Sequence, residues 1–416
     1  MKQKIICCFS LIVVVLLTTF LCLPPKDADI LKNTKELKKQ NVLAIMIETG
    51  EATDTYQEST SGSWPTEGYR FNRKLSRCTN GGELSWDKEK KIVSLSGNSD
   101  DKCYVYFDVG VESIADYCDT GTDLATCVKN FGDQGSAISN IYIHNSSLAN
   151  GAGDNSYRYA GASDKVNNFV CFGSTTSPCP TDNLYRIIGV IDGKVKLIKY
   201  DYASSNLLGT DGDYKGSGTP VSSTYKGSLT SINTYSWNYK AANTGSNTWS
   251  TSLLNKINLN TNYLNNIGTT WSNMIEDSTW KVSGHTDSGV TPSKMYTGEI
   301  TNATKTYGPS DGTSKIGLMY ASDYGFAASP SAWSTALMNY YNVRANNWMY
   351  MGYYDWTISP YSSSSLYVFI LDDSGGVPNY DASNECGSRP VLYLKSSALY
   401  AGGSGTKNSP ITLVVW

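Results

Sequence analysis

The chain begins with a hydrophobic segment that decides in which compartment all later residues fold. Lys2 and Lys4 precede a mainly apolar run over residues 5–23, which is close to the length that crosses ~30 Å of hydrocarbon. Basic residues before such a run stay in the cytoplasm, so the residues after it are translocated. Because no A-x-A-like cleavage site follows, we expect residues 1–23 to form an uncleaved signal-anchor helix. A cleaved signal peptide and a lipoprotein modified at Cys22 are the alternatives.

The composition of the chain favours an extracellular recognition surface. Charged residues make up 17% of it, below the ~25% usual in soluble proteins. There are 30 Tyr and 10 Trp but only 2 His, and Tyr combined with Ser, Asn and Gly is typical of adaptable binding surfaces. A formal net charge of -3 argues against a nucleic-acid partner, which would require a basic face. An ordinary secreted β-rich protein has a similar composition and stays the alternative.

The cysteines also fit an exported protein. Three of the ten lie in the hydrophobic segment, and six others form pairs that are close in sequence: Cys78 with Cys103, Cys118 with Cys127, and Cys171 with Cys179. An oxidising compartment permits disulfides between them, each worth ~2–3 kcal/mol for loops of this size. Zinc binding is not expected, because the chain has no C-x-x-C motif. Cys386 is left over, and we predict a buried or free thiol.

Residues 24–41 form a polar segment that begins with Pro24-Pro25, and we interpret it as a linker. Short runs of alternating apolar and polar residues follow it. From residue 42 onward, apolar and polar residues alternate in runs that Gly, Asn and Asp turns separate. This pattern predicts strands, and several such strands predict a small antiparallel β-sandwich over residues 42–108. A module of this size has a limited core, so we expect the predicted disulfide within it to matter for its stability.

The second region, residues 109–416, mixes strand and helix signals. Apolar strand formers flank Asp192-Gly193 on both sides, and this arrangement predicts a hairpin. Large apolar residues at helical spacing predict helices over residues 250–263 and 269–280. Long polar loops connect these elements, and such loops tend to be functional in a compact domain. We therefore predict an α+β fold: an N-terminal hydrophobic helix, the small antiparallel β-sandwich, and a larger α+β domain with long polar loops.

No catalytic motif is present in the sequence. Neither a G-x-S-x-G nor an H-E-x-x-H motif nor a phosphate-binding loop is found. His144 and His285 lie in polar segments, which predicts surface positions for both. Asp211-Gly212-Asp213 and Asp372-Asp373 match calcium sites only in part, since Ca²⁺ takes about 6–8 oxygen ligands. We therefore expect no catalytic residue, no enzyme activity and no cofactor, with Ca²⁺ as the alternative.

Two short elements near the C-terminus carry a family pattern. The first has Gly352, Asp355, Trp356 and Thr357, and the second has Gly387 and Arg389. They resemble the G-N-V-W-E-W-T-like element and the G-F-R strand of the formylglycine-generating-enzyme branch of the C-type-lectin-like fold. Tyr353-Tyr354 and Ser388 depart from that pattern, and the catalytic cysteines of the enzymes have no counterpart. The resemblance implies a C-type-lectin-like fold for residues 109–416 and keeps an oxidase activity as an alternative only.

A second likeness extends over more of the chain. The motifs W-P-x-x-G-Y-x-F-N, D-K-C-Y-V-Y-F-D and D-N-L-Y-R-I-I-G-V occur at residues 64–72, 101–108 and 182–190. They are similar to motifs of a family of surface proteins from Gram-positive bacteria. This resemblance implies a location on the outer side of the cell membrane, either anchored by the N-terminal segment or secreted after its cleavage.

The segment between the two C-terminal elements is the predicted binding face. In lectin-like folds of this type, the corresponding segment presents side chains to the ligand, so its tyrosines and asparagines are the expected contacts. The predicted ligand-binding residues are Tyr353, Tyr354, Tyr361, Tyr367, Asn379 and Tyr380. We predict an adhesin- or lectin-like protein that binds an extracellular glycan or protein. A cell-envelope enzyme, either a formylglycine-generating-like oxidase or a wall hydrolase, and a subunit of a pilus-like assembly are the alternatives.

Overall fold

Short strands make up most of the regular structure of this chain. The computed structural model describes residues 34–415 apart from 51–52, 66–67, 88–89, 242 and 303–310. Among the described residues, strands account for 29% and helices for 21%, arranged in several small sheets. The predicted α+β class is therefore wrong, and the fold is mainly β. The runs of apolar residues at helical spacing were too short to outweigh strand pairing between distant segments.

The predicted N-terminal hydrophobic helix, residues 1–23, lies outside the described residues, and the structure gives it no support. Among the residues that are described, no helix is long and apolar enough to cross a membrane. The described chain divides into two units, one that ends at Val111 and one that begins at Glu112. Each unit has its own sheets and its own core.

The first unit contains eight described strands in two sheets. They are β1 (Thr34–Glu36), β2 (Val42–Glu48), β3 (Tyr56–Glu58), β4 (Tyr69–Phe71), β5 (Arg77–Cys78), β6 (Glu83–Asp87), β7 (Ile92–Ser96) and β8 (Cys103–Val109). One sheet has the order β1-β7-β6, and the other has the order β3-β2-β8-β4, with β5 also pairing with β8. Strand β1 lies within the segment that we interpreted as a linker.

The first unit is not a purely antiparallel sandwich, because β2 and β8 run parallel. Parallel strands need a long crossover connection, and here strands β3 to β7 supply it. Side chains alternate between the two faces along β7 and β8, so Val93, Leu95, Val105 and Phe107 all point into one core. The predicted disulfide between Cys78 and Cys103 is present and joins β5 to β8.

The second unit contains sixteen described strands. They are β9 (Ile141–Ile143), β10 (Tyr157–Tyr159), β11 (Phe169–Cys171), β12 (Leu184–Ile191), β13 (Lys194–Lys199), β14 (Tyr214–Gly218), β15 (Ile232–Tyr235), β16 (Ser278–Trp280), β17 (Gly312–Ser314), β18 (Ile316–Gly317), β19 (Asp355–Pro360), β20 (Tyr367–Leu371), β21 (Asn379–Asp381), β22 (Val391–Tyr393), β23 (Tyr400–Gly402) and β24 (Thr412–Leu413). A seven-stranded sheet has the order β18-β22-β13-β12-β10-β9, with β11 also pairing with β12. Four smaller sheets surround it, in place of the expected lectin-like α+β arrangement.

The helices of the second unit are short. The α-helices are Leu124–Gly132, Ser136–Ser139, Ser205–Leu208, Tyr263–Asn266, Thr269–Ser272, Pro292–Tyr296 and Ala321–Ala327. Other helical turns in the described chain are the 3-10 helices Lys39–Asn41, Ile114–Asp116, Thr181–Asn183, Trp249–Thr251, Pro330–Ala332, Leu337–Asn342 and Arg344–Asn346, and the π-helices Leu254–Asn262 and Thr297–Thr301. The helix predicted for residues 250–263 is present as the π-helix Leu254–Asn262, which continues into the α-helix Tyr263–Asn266, whereas the helix predicted for residues 269–280 is reduced to Thr269–Ser272. Gly268, at φ 81°, separates these two helical segments in a conformation that favours glycine.

Local signals in the second unit are confirmed. Strands β12 and β13 form the predicted hairpin, and Asp192 and Gly193 both have positive φ, as a type I′ turn requires. The other two predicted disulfides, Cys118–Cys127 and Cys171–Cys179, are also present. Cys386 is buried and carries a free thiol.

Candidate functional site

The predicted ligand-binding residues lie on and beside the three-stranded sheet β19–β20–β21. In this sheet Tyr367 pairs with Asp381, Val368 with Tyr380, and Phe369 with Asn379. Successive side chains point to opposite faces of a strand, so Tyr380 lies on one face while Tyr367 and Asn379 lie on the other. The structure therefore divides the predicted residues between two faces.

Three of these residues form a tyrosine row. The rings of Tyr354 and Tyr380 stack at 6.1 Å with only 14° between their planes, and Tyr353 contacts Tyr354 edge-on at 6.1 Å. All three side chains are half-buried. Tyr353 continues into the core, where its ring lies 5.7 Å from that of Tyr202. The row thus presents part of each ring to solvent on a fixed support.

The remaining predicted residues border a loop that is held at several points. Tyr361 packs edge-on against Phe369 at 5.6 Å, and Tyr367 is 37% exposed. The buried side chain of Asn247 donates to the carbonyl oxygen of Ser364 at 2.6 Å and to that of Tyr367 at 3.1 Å. The serine-rich segment that follows Tyr361 is therefore an ordered turn.

The residues that carried the family resemblance form part of the core. Arg389 Nε donates to Asp355 Oδ2 at 2.5 Å, and both side chains are buried. The backbone N–H of Gly387 donates to the carbonyl of Tyr354 at 3.0 Å, which joins the two elements side by side. Because a buried charge requires a partner, this ion pair positions the start of β19 from within.

The aspartates weighed as calcium ligands have other partners. Asp213 is buried and accepts backbone N–H donors, among them those of Lys240 at 2.8 Å and Leu253 at 3.0 Å. Asp372 Oδ1 accepts the N–H groups of Ser374 at 3.0 Å and Gly376 at 2.8 Å. Within the described chain, no group of three or more His, Cys, Asp or Glu side chains is placed to hold a metal ion.

The predicted surface position of His144 is wrong. Its side chain is fully buried between the rings of Phe326 and Trp333, at 4.8 and 4.9 Å. Burial lowers its pKa to about 3, so the imidazole is neutral at physiological pH. The polar residues around it in sequence belong to turns, while strand pairing turns the ring inward. His144 therefore contributes to the packing of the core.

A cleft of about 600 Å³ lies at one end of the seven-stranded sheet, and sequence reasoning missed it. We call it the basic cleft. Its walls come from Ser163, Asp164, Asn167, Phe169, Tyr200, Lys226, Arg344, Ala345, Asn347, Tyr350 and Lys407. Phe169 begins β11 and Tyr200 directly follows β13, so two strands that both pair with β12 deliver neighbouring rings to the site.

The floor of the basic cleft is aromatic. The rings of Phe169 and Tyr200 meet edge-on at 5.2 Å, and Tyr350 adds a third ring that is almost fully buried. The Tyr200 hydroxyl donates to the carbonyl of Lys226 at 3.2 Å, and the Tyr350 hydroxyl donates to that of Asp373 at 2.6 Å. These hydrogen bonds fix the orientation of the rings, so the floor is preformed.

A buried cation lies directly behind this floor. The guanidinium of Arg186 stacks on the Phe169 ring, with Cζ 4.4 Å from its centroid, and Nη1 donates to Ser163 at 2.8 Å. Its other hydrogen bonds go to Asn168 Oδ1 and to the carbonyls of Val166 and Trp348. Among the described residues, none of its partners is a carboxylate. Burial lowers its pKa to about 9, so it remains charged at neutral pH.

Three further cations surround the mouth of the basic cleft. Lys226, Arg344 and Lys407 are all exposed, and in the part of the chain that the structure describes they have no carboxylate within ion-pair distance. The one acidic side chain in the lining, Asp164, is 73% exposed and lies 3.6 Å from Lys165. The site therefore carries an excess of positive charge in a chain whose net charge is -3.

The loop at residues 372–376 connects the basic cleft with the predicted binding segment. Arg344 Nη1 donates to the carbonyl of Ser374 at 2.9 Å, and Tyr350 binds the preceding carbonyl. Burial raises the pKa of Tyr350 and of Tyr354, and the nearby carboxylates of Asp373 and Asp372 add to this rise, which the Arg344 guanidinium opposes at Tyr350. The same loop thus borders both the cleft and the tyrosine row.

Comparisons with protein-family models, curated proteins and solved structures give no match to this chain. The geometry of the basic cleft and the tyrosine row therefore carries the functional argument.

Proposed function

We propose that this chain is an extracytoplasmic ligand-binding protein, adhesin- or lectin-like, whose ligand occupies the basic cleft beside residues 372–376. The observation that carries the proposal is a preformed cleft with an aromatic floor and a polar, charged mouth. Small-molecule sites commonly combine an apolar lining with a few convergent polar groups in a cavity of about 300–1,000 Å³. Three disulfides support the extracytoplasmic part of the proposal, because disulfides persist in oxidising compartments.

The tyrosine row extends the proposed surface. Tyr353, Tyr354 and Tyr380 present half-buried rings, and aromatic rings of this kind supply contact area at a low entropic cost. Tyr361, Tyr367 and Asn379 border the other face of the sheet and belong to the proposal as secondary contacts. A ligand longer than the cleft would reach the row across the loop at residues 372–376.

A steric block tests the proposal without removing any native interaction. Ala345 is an exposed residue of the cleft wall, so a Trp side chain at this position occupies the space a ligand needs. The labelled chain is screened on glycan and surface-protein arrays, and the affinity for each hit is measured by titration calorimetry. We expect Ala345→Trp to weaken binding at least tenfold, because filling the cleft excludes the ligand.

The matched control is Ala241→Trp, which adds the same ring at an exposed position outside the cleft lining. It should leave the affinity within about twofold of the unmodified chain. Arrays without a hit, or a hit that Ala345→Trp binds as tightly as the unmodified chain, would overturn the proposal. Chemical conversion of a bound glycan would instead support a cell-envelope enzyme.

A further inference from the structure

The charges in and behind the basic cleft select one class of ligand. Lys226, Arg344 and Lys407 surround its mouth, and Arg186 lies behind its floor. A cation that lacks a protein carboxylate interacts favourably with an anion brought by a ligand, and it does so more strongly at the low dielectric of a partly enclosed site. A neutral ligand would gain only hydrogen bonds to neutral acceptors from these groups, which are weaker than bonds to an anion, and a cationic ligand would be repelled.

The cations are arranged so that ring contact and charge contact occur together. Lys407 Nζ lies 4.8 Å from the centroid of the Tyr200 ring, and the Arg344 guanidinium lies 6.0 Å from that of Tyr350. Each floor tyrosine therefore has a charged donor close to its ring. A group that packs on the aromatic floor would place an acidic substituent within reach of these donors.

Arg344 is suited to a planar acidic group. Its hydrogen bond to the Ser374 carbonyl uses Nη1, and a guanidinium has five N–H donors in a fixed fork. The remaining donors are directed away from that contact and can bind two oxygens of one carboxylate, sulfate or phosphate. Lys226 and Lys407 add point charges that do not depend on the geometry of the anion.

Building on the proposed function, we infer that the basic cleft binds an acidic saccharide, whose sugar ring packs on Phe169, Tyr200 and Tyr350 while its anionic group contacts the surrounding cations. Carboxylate, sulfate and phosphate share the chemistry that these cations recognise. A protein with a net negative charge repels acidic glycans in general, so the local positive field restricts their approach to the cleft.

The test titrates the full, oxidised chain with three acidic probes and their neutral counterparts. The probes are an oligogalacturonate with its methyl ester, a sulfated oligosaccharide with its desulfated form, and a phosphorylated oligosaccharide with its dephosphorylated form. We expect at least one acidic probe to bind tenfold or more tightly than its counterpart. The acidic probe that binds most tightly identifies whether the recognised anion is a carboxylate, a sulfate or a phosphate. Raising the salt concentration should weaken this binding.

Two triple variants decide where the anion binds. The first variant combines Lys226→Ala, Arg344→Ala and Lys407→Ala. It should weaken the binding of the acidic probe at least tenfold, since each substitution removes a charge-assisted contact. Replacing the exposed residues Lys240, Lys256 and Lys294 by Ala changes the net charge equally outside the cleft. This control should change the affinity less than twofold.

The outcomes separate the inference from the proposed function. If neutral and acidic probes bind equally well and Ala345→Trp blocks both, the ligand is not acidic, but the cleft is still a binding site. If an acidic probe binds and both triple variants weaken it equally, the attraction is a property of the whole surface and the inference fails. If no acidic probe binds at all, the inference also fails, whatever the arrays detect.

Discussion

Two groups of cations in the second unit differ in whether a carboxylate pairs with them. Inside the core, Arg158 and Lys196 share one carboxylate: Arg158 Nη1 lies 3.1 Å from Asp323 Oδ1, and Lys196 Nζ lies 2.5 Å from Asp323 Oδ2. Arg158 also contacts Asp154 at 2.8 Å. The cations at the mouth of the basic cleft have no such partner among the described residues. The difference teaches that the cations buried in this core are held by carboxylates, whereas those at the cleft mouth stay available to the proposed ligand.

Arg186 lies between these two cases. It is as buried as Arg158, but it is held by neutral acceptors and aromatic rings. Hydrogen bonds satisfy its donors without cancelling its charge, so its field extends into the adjoining cleft. A carboxylate at the same place would have neutralised it. In the proposed complex, the charge of Arg186 would therefore attract the anionic group of the ligand.

The largest effect is expected from breaking the buried charge network. Replacing Asp323 by Asn keeps the volume but leaves Lys196 without a counter-charge in the core. Removing one partner of a buried ion pair costs about 3–5 kcal/mol, so we expect a loss of that size in the free energy of unfolding, measured by urea titration. Asp164→Asn, at an exposed carboxylate, is the control and should cost less than about 0.5 kcal/mol. A loss below about 1 kcal/mol for Asp323→Asn would contradict the comparison.

A pH-dependent effect of intermediate size is expected from Glu299. This carboxyl is fully buried and accepts from the Ser359 hydroxyl and the Ala321 N–H, with no cation at ion-pair distance in the described chain. Burial raises its pKa to about 7 from the ordinary 4.5. Its contribution to stability is therefore complete below pH 4.5, where both states are protonated, and is lost as the pH rises through 7.

Glu299→Gln removes this titration while keeping the shape of the side chain. Relative to the Gln variant, the unmodified chain should lose roughly 3 kcal/mol of unfolding free energy between pH 4 and pH 8, at about 1.4 kcal/mol per pKa unit. Unfolding titrations of both chains at the two pH values measure the difference. Parallel pH profiles would show that Glu299 is not the group responsible.

The smallest effect is expected at the mouth of the basic cleft. Arg344→Ala removes an exposed cation with one hydrogen bond to a carbonyl, so the free energy of unfolding should change by less than about 0.5 kcal/mol. The same urea titration measures it, alongside Asp323→Asn. A loss above about 2 kcal/mol would mean that Arg344 is a structural residue, and the contrast between paired and unpaired cations would disappear.

The sequence by itself determined the local features of this protein. Asp192-Gly193 specified a hairpin, because a two-residue turn that matches the twist of the flanking strands needs positive φ, which Asp and Gly adopt more readily than most residues. The three disulfides followed from cysteines that are close in sequence, where few partners compete. Hydrophobic periodicity was less reliable: for residues 269–280 it predicted a helix, but Ser278–Trp280 is strand β16, paired with the distant β17.

Only the tertiary structure decided what depends on distant residues. The parallel pairing of β2 with β8, the ion pair of Asp355 with Arg389, and the burial of His144 all join or enclose groups that sequence spacing does not connect. The basic cleft is the clearest case, since its walls come from residues 163–169, 200, 226, 344–350 and 407. No periodicity or motif links these positions. Strand pairing and loop closure bring them together, and within the described chain the same packing leaves Lys226, Arg344 and Lys407 without a carboxylate partner.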